Sequence, residues 1–228
     1  MDRRTMLAAS VVLAAGAVAP AMAAGGPGLA DVAAPVESRL QPLPAPQTSG
    51  GKPLYEALAQ RRSQREFSPR ELPITVLANL LWAANGINRP ESGKRTAPSC
   101  LNWQEIELYA LTASGVLRYA PKEHALERVS DKDLRALSGR QPFVAGAPLN
   151  LVLVADYARM PGVSAEDRLF YSGTDTGLVS QNVYLFCASE GLATVVRANL
   201  DKQALARAMG LGPEQHITLV QTVGYPKG

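Results

Sequence analysis

A short basic segment, residues 61–65, carries the side chains best suited to chemistry in this sequence. It places Arg61, Arg62, Ser63 and Arg65 directly after a predicted helix. Guanidinium groups offer paired, planar donors that match the oxygens of a phosphate, and a serine hydroxyl adds a neutral donor. The segment therefore predicts a phosphate-binding site. The alternative interpretation is a basic helix end in solvent, where positive charge is favourable to the helix dipole.

A second polar segment, residues 94–104, leads into a predicted strand. It contains Pro98, Ser99 and Asn102 and ends at Gln104. Asn and Gln side chains both donate and accept hydrogen bonds, which suits the edge of a heterocyclic ring that carries both kinds of group. These residues predict a second part of a ligand site, although an ordinary turn before a strand has the same composition.

The elements that must position these segments alternate between helical and extended patterns. Helices are predicted from Pro53 up to the basic segment and over residues 73–85, 132–137, 166–190 and 201–209, and strands over 105–112, 116–119, 126–129, 149–154, 193–196 and 217–223. Helices that alternate with strands, together with one antiparallel hairpin, predict an α+β fold in which a mixed sheet is flanked by helices. No G-x-G-x-x-G lies between a strand and a helix, which argues against a Rossmann fold.

The longest predicted helix, residues 166–190, is apolar on most of its sides. Its apolar residues include Leu178, Val179, Val183, Leu185 and Phe186. A helix of this kind lies in a core or in an interface. One small domain does not easily hide it, so we expect a homodimer in which a two-fold axis buries the helix against its own copy.

Four motifs in order resemble the nitroreductase family. They are R-R-S-x-R-x-F from Arg61, P-S-x-x-N-x-Q from Pro98, a Q-N-bearing helix followed by E-G-L, and a final V-G-Y-P. The R-T-A-P-S form of the second motif is most similar to the SagB/ThcOx-like branch. The resemblance covers residues 53–226 and implies a nitroreductase-like fold with FMN bound at a dimer interface.

The resemblance also implies roles for particular residues. The phosphate and ribityl chain of FMN would be held by Arg61, Arg62, Ser63 and Arg65, and the flavin would be reached from the other subunit by Pro98, Ser99 and Asn102. Backbone N–H groups around residues 196–199, in particular those of Ala198 and Asn199, would lie near flavin N5. No catalytic side chain is expected, because the flavin itself carries the chemistry.

Three positions depart from the family pattern. Arg197 stands close to where many relatives have Pro and Gly, and is a candidate to face the flavin or the substrate. Lys227 is a candidate phosphate ligand beyond the last strand. Cys100 stands where a small residue is usual, and either lies near the flavin or fills space.

The expected activity is ping-pong electron or hydride transfer through flavin N5 to a small organic acceptor such as a nitroaromatic or a quinone. NAD(P)H is a candidate electron donor. Two alternatives remain open at this point: oxidation of azoline-type rings, as in SagB/ThcOx relatives, and a flavin-binding protein without catalytic activity.

Composition excludes several other classes of function. A net charge of +3 gives no case for nucleic-acid binding. The chain has two cysteines, Cys100 and Cys187, and two histidines, His124 and His216, with no clustered spacing. We therefore expect neither a disulfide framework nor a metal site.

The first 52 residues read as an export signal and a linker. Residues 1–23 combine Arg3-Arg4, a short apolar run and a small-x-small cleavage pattern at Ala21–Ala23, which is typical of a signal peptide. The paired arginines favour the twin-arginine route, with a Sec signal as the alternative. Residues 24–52 are rich in Ala, Gly and Pro and predict a flexible leader before a domain at 53–228. We expect a periplasmic protein with no stable membrane association after cleavage.

Overall fold

The computed structural model describes residues 40–228, in which one large sheet carries helices on both faces. The strands are β1 (Leu40–Pro42), β2 (Ile87–Arg89), β3 (Lys94–Arg95), β4 (Ile106–Thr112), β5 (Gly115–Ala120), β6 (Ala125–Ser130), β7 (Leu149–Asp156), β8 (Ala193–Arg197) and β9 (Gln215–Gly224). The helices are α1 (Leu54–Gln60), α2 (Ile74–Asn85), α3 (Ala165–Glu190) and α4 (Lys202–Met209). The sheet order is β1-β6-β5-β4-β7-β9-β8, and β2 pairs with β3 alone.

Alternation along the strands divides the core into two layers. In β4, Ile106 and Leu108 pack with α2 and α3, whereas Tyr109 and Leu111 pack in the cluster that contains Leu205 of α4. This is the two-residue period expected of a strand buried on both faces. The α+β class, with helices flanking a sheet, is thereby confirmed. Every strand pairing among the described residues is antiparallel, where we expected a mixed sheet.

Helix α3 is anchored at both ends and runs across the core. The Ser164 hydroxyl accepts a hydrogen bond from the Asp167 N–H at its start, and Gly191 ends it at φ 70°. One side of the helix is buried, and the opposite side is open within this protomer, where Leu178 is 40% exposed. The outward side is therefore free for an interface, and the homodimer stays a prediction.

The leader predicted for residues 24–52 is wrong over the part that the structure describes. Residues 40–42 pair with β6, Leu43 is buried, and the Lys52 N–H donates to Ser189 Oγ at 2.8 Å. Backbone hydrogen bonds between strands depend little on side-chain type, so the Pro-rich composition gave no indication of this strand. The folded region begins by Leu40, not at Pro53. Residues 24–39 and the proposed signal at 1–23 lie outside the described residues.

The short helix predicted at 132–137 is also wrong. The chain forms a single 3₁₀ turn, Arg135–Ser138, instead. The Ser130 hydroxyl accepts from the Lys132 N–H, and the Asp133 carboxylate is bound by the Arg135 guanidinium. Ser130 and Asp133, which could have capped the start of such a helix, therefore serve local turns, and no side-chain cap forms.

Candidate functional site

The basic segment, residues 61–65, is extended and lies along β8. Helix α1 ends at Gln60, and the Gln64 N–H donates to the Thr194 carbonyl at 2.9 Å. Within residues 40–228, no carboxylate lies within ion-pair distance of Arg61, Arg62 or Arg65. The segment thus presents three guanidinium groups that no acid in the described chain neutralises. Arg61 is the C-cap of α1, with its N–H bonded to the Ala57 carbonyl, whereas Arg62 and Arg65 lie beyond the helix.

The Tyr184 hydroxyl ties the basic segment to the end of β8. Its Oη lies 2.8 Å from Ser63 Oγ and accepts a hydrogen bond from the Val196 N–H at 3.0 Å. The Arg61 guanidinium lies over the same ring, 5.3 Å from its centre. One aromatic side chain on α3 therefore holds Ser63, Arg61 and β8 in a fixed relation. Sequence reasoning missed Tyr184, which is more than a hundred residues away from Ser63 in the chain.

The end of the chain brings one further cation to this region. The Lys227 N–H donates to the Glu66 carbonyl at 3.3 Å, and Pro226 forms a bridge with Phe67. A cavity of about 430 Å³ opens beside the segment, lined by Ala59, Gln60, Arg61, Arg62, Gln64, Cys187, Ala188, Gly191, Leu192 and Pro226. Lys227, a candidate phosphate ligand from the sequence, thus lies next to the basic segment.

Ala198 and Asn199 form an exposed turn just after β8, whereas Arg197 turns away from it into the protein. The Arg197 guanidinium is buried and donates to Ser138 O, Asn150 Oδ1 and Thr222 Oγ1. Burial lowers the pKa of Arg197 to about 10. Its described hydrogen bonds all go to the protein interior, so the contacts do not favour the idea that Arg197 faces a ligand.

The loop at 98–104 is shaped by its own hydrogen bonds. Leu101, Asn102 and Gln104 adopt positive φ angles of 48°, 56° and 52°, which cost energy for residues other than glycine. Ser99 Oγ accepts from the Gln104 N–H, and Asp175 of α3 accepts from the Cys100 N–H, both at 2.9 Å. The backbone is therefore held in a strained shape that exposes Pro98, Leu101 and Asn102. Cys100 is partly buried.

One chain does not bring all the predicted site residues together. The basic segment contacts α3 at Tyr184, whereas the 98–104 loop contacts it at Asp175. These positions are nine residues apart, about two and a half helical turns, so they lie on opposite flanks of α3 and about 14 Å apart along its axis. Leu178 lies on the outward side between the two flanks. The nine predicted residues thus form two groups.

Other features of the described chain are separate from these groups. A cavity of about 570 Å³ lies at the far edge of the sheet near β1, β5 and β6 and contains none of the predicted residues. Within residues 40–228, no group of three His, Cys, Asp or Glu side chains is arranged so that it could hold a metal ion. Cys187 is buried, and burial raises the pKa of its thiol. None of the helices described is both long and apolar enough to cross a membrane.

An antiparallel sheet between helical layers, with a basic segment after the first helix and a polar loop before the central strands, defines a nitroreductase-type protein. The sequence profile of the nitroreductase family matches residues 58–225, and the chain belongs to this family. The family prediction is thereby confirmed.

Three comparisons show how close known members are. A solved nitroreductase-type structure from Ralstonia eutropha is 41% identical, with a TM-score of 0.80 over 83% of this chain and 90% of that one. A nitroreductase-type protein of Methanocaldococcus jannaschii is 34% identical over 62% of this chain and 76% of its own length. A Desulfovibrio desulfuricans nitroreductase-type structure in complex with FMN is 21% identical, with a TM-score of 0.57 over 78% of this chain and 89% of that one.

Proposed function

We propose that this nitroreductase-family oxidoreductase binds FMN and passes electrons from a reduced donor to a small organic acceptor. The observation that carries the proposal is the basic segment: three guanidiniums without an acid partner in the described chain, beside the Ser63 hydroxyl and a cavity. Such a group is matched to a phosphate monoester, which carries close to two negative charges. The FMN-bound Desulfovibrio desulfuricans structure, which shares the fold, supports the choice of FMN.

The donor set fits FMN at both of its ends. Arg61, Arg62, Ser63 and Arg65 would hold the phosphate and the ribityl chain, and Lys227 would add charge from beside Glu66. Backbone N–H groups at Ala198 and Asn199 would lie toward the isoalloxazine ring. When bound, FMN supplies the two-electron chemistry, and the protein supplies binding, orientation and charge. No side chain is assigned a proton-transfer role.

The remaining residues, Pro98, Ser99 and Asn102, would complete the site from a second copy of the chain. The outward side of α3 lies between the two groups, and Leu178 on this side is exposed within one protomer. A two-fold axis through that side would place the basic segment of one protomer beside the 98–104 loop of its partner. This arrangement supports a homodimer with two shared sites.

The finer parts of the function are proposals as well. We infer a quinone or nitroaromatic acceptor and NAD(P)H as a candidate donor, on the family resemblance. Membership of the SagB/ThcOx-like branch rests on Arg95–Ser99 alone, and no geometry of this site favours azoline oxidation over reduction.

Export to the periplasm by a twin-arginine signal rests on residues 1–23, and the mature N-terminus determined by Edman sequencing tests it. Retention of Met1 on membrane-bound protein would contradict it.

The proposal is tested by titrating FMN into the purified full-length protein and following quenching of flavin fluorescence. Arg62→Ala removes one charge-assisted hydrogen bond of about 2 kcal/mol, so the FMN Kd should rise about thirtyfold. Arg62→Lys should recover only part of this loss, because a lysine lacks the fork of donors. Arg207→Ala, an exposed arginine on α4, is the matched control.

An activity assay separates an enzyme from a flavin-binding protein. The FMN-loaded protein should reduce an added quinone or nitroaromatic compound with NAD(P)H as donor. Tight FMN binding with no turnover for any donor and acceptor pair would favour the non-catalytic alternative. A Kd unchanged in both Arg61→Ala and Arg62→Ala would remove the phosphate assignment itself.

A further inference from the structure

A buried carboxyl group, Glu105, lies directly beneath the 98–104 loop. It immediately precedes β4, and its side chain is fully buried. Neither of its carboxylate oxygens receives a hydrogen bond from any donor in the described chain. An ionised carboxylate without donors is very costly to bury, so the group is held in its neutral form.

A neutral carboxylic acid has an O–H that must find an acceptor, and Asp175 of α3 provides one. Burial, the charge of Asp175 and a hydrogen bond with the Asp175 carboxyl each raise the pKa of Glu105. Asp175 is itself buried, and its Oδ2 accepts the Cys100 N–H of the loop at 2.9 Å. Asp175 therefore receives two donors only while Glu105 keeps its proton.

The surrounding cations do not take over this role. Arg95 from β3 directs its Nε to Gln104 Oε1, and Arg159, from the turn after β7, directs its nitrogens to Gln104 O, Asp156 and Glu107. Glu107, two residues along the same strand, is paired with Arg118 and Arg159. Asp175 is therefore the acid that raises the pKa of Glu105, whereas Arg95 and Arg159 act on Glu105 through their charge alone.

We propose that Glu105 and Asp175 share one proton, and that this pair holds the 98–104 loop in the strained shape that receives the flavin. The pair is connected to the loop at two points. Asp175 binds the Cys100 N–H, and Glu105 directly follows Gln104 in the chain. Both residues are positioning residues, because they act through the loop. The inference rests on the proposed FMN site.

The pair makes the shape of the loop depend on pH. Burial, together with the negative charge of Asp175, raises the pKa of Glu105 to about 7. Above this pH Glu105 carries a negative charge beside that of Asp175, and two like charges in a buried site repel each other. The Cys100 contact is then lost or distorted. FMN binding that requires the protonated pair weakens about tenfold for each pH unit above the pKa.

The test compares the FMN Kd of wild type with those of two isosteric variants across pH 7. Glu105→Gln and Asp175→Asn each keep a donor and an acceptor in place but remove one ionisable group. Because the FMN phosphate titrates near pH 6 in every variant, the measured quantity is the ratio of the wild-type Kd to the variant Kd. We expect this ratio to rise about fivefold between about pH 7 and about pH 8. The exposed control Glu123→Gln should keep the wild-type profile.

A readout without flavin separates this proposal from the proposed function. Trp103 lies at the end of the loop, packed edge-on against Tyr171, so its fluorescence should change across pH 7 in wild type and not in Glu105→Gln. If that change occurs but no FMN binds at any pH, the shared proton stands and the proposed function fails. If FMN binds with a flat Kd ratio and the fluorescence profiles of wild type and variant coincide, the shared proton is wrong.

Discussion

The two flanks of α3 are built on different physical principles. On one flank, the basic segment exposes charge: Arg62 and Arg65 are open to solvent and no acid in the described chain neutralises them. On the other flank, the 98–104 loop is internally satisfied, with its backbone bound to Ser99, Asp175 and its own carbonyls. The first region supplies charge, and the second supplies shape.

This difference predicts how the basic segment and the 98–104 loop should each respond to substitution. Replacing an exposed arginine that no acid in the described chain pairs removes attraction for an anion but little packing, so the fold should survive. Replacing a residue that shapes the loop changes geometry first and affinity only as a consequence. In the proposed site neither half is complete within one protomer, since the charges and the shaped loop lie on opposite sides of the same helix.

The largest effect is expected from removing two charges on the first flank. The double variant Arg61→Ala/Arg62→Ala loses two charge-assisted bonds of about 2 kcal/mol each, so the FMN Kd should rise about a thousandfold. Neighbouring residues often deviate from additivity, and the single variants measure that deviation. The thermal midpoint of the flavin-free protein should change little. A large decrease in this thermal midpoint would show that the two arginines stabilise the fold itself and do not act on FMN binding alone.

The next effect concerns the side of α3 that lies between the two flanks. Leu178→Asp would place a charge from each copy near the proposed two-fold axis, at a cost of about 3 kcal/mol, so dimerisation should weaken roughly a hundredfold. Leu137→Asp is the control, because Leu137 is 44% exposed and Leu178 is 40% exposed. Light scattering over a dilution series measures both variants. Equal dimerisation by the two would exclude this side of α3 as the interface.

A smaller effect is expected where α3 meets the basic segment. Tyr184→Phe leaves the Val196 N–H without its partner and frees Ser63. The loss of about 1.4 kcal/mol should raise the FMN Kd about tenfold. Tyr55→Phe is the control, since Tyr55 is 86% exposed on α1. Matching Kd values for the two variants would mean that the bridge does not organise the site.

The sequence predicted the elements whose signal is local. Helix α2 follows from Pro73 and helical spacing, and β7 follows from its apolar run at the centre of the sheet. The packed segment 40–52 was missed, because its strand is held by backbone hydrogen bonds to β6, and these leave no mark in the composition. The predicted flexible leader shows how far a Pro-rich composition can mislead.

The sequence predicted the binding motifs of the candidate site but not the distant residues that hold these motifs in place. The residues of each group, at 61–65 and at 98–102, are close together in the sequence, so their chemistry can be inferred from the local pattern. Tyr184, Glu105 and Asp175 act across long separations in the chain, which spacing does not reveal. One signal was present: Glu105 is an acid at the head of a strand that is otherwise mostly apolar, where an unpaired charge is out of place.

The central claim is that each FMN site joins the basic segment of one protomer to the 98–104 loop of its partner. It is tested most directly by mixing two variants, Arg62→Ala and Asn102→Gly, the latter keeping the left-handed backbone at φ 56°. Each homodimer should bind FMN weakly at both sites. A heterodimer isolated through two different tags should regain one site of wild-type affinity per dimer, because one of its sites combines an intact basic segment with an intact loop. A heterodimer that binds FMN no more tightly than either homodimer would contradict the shared site.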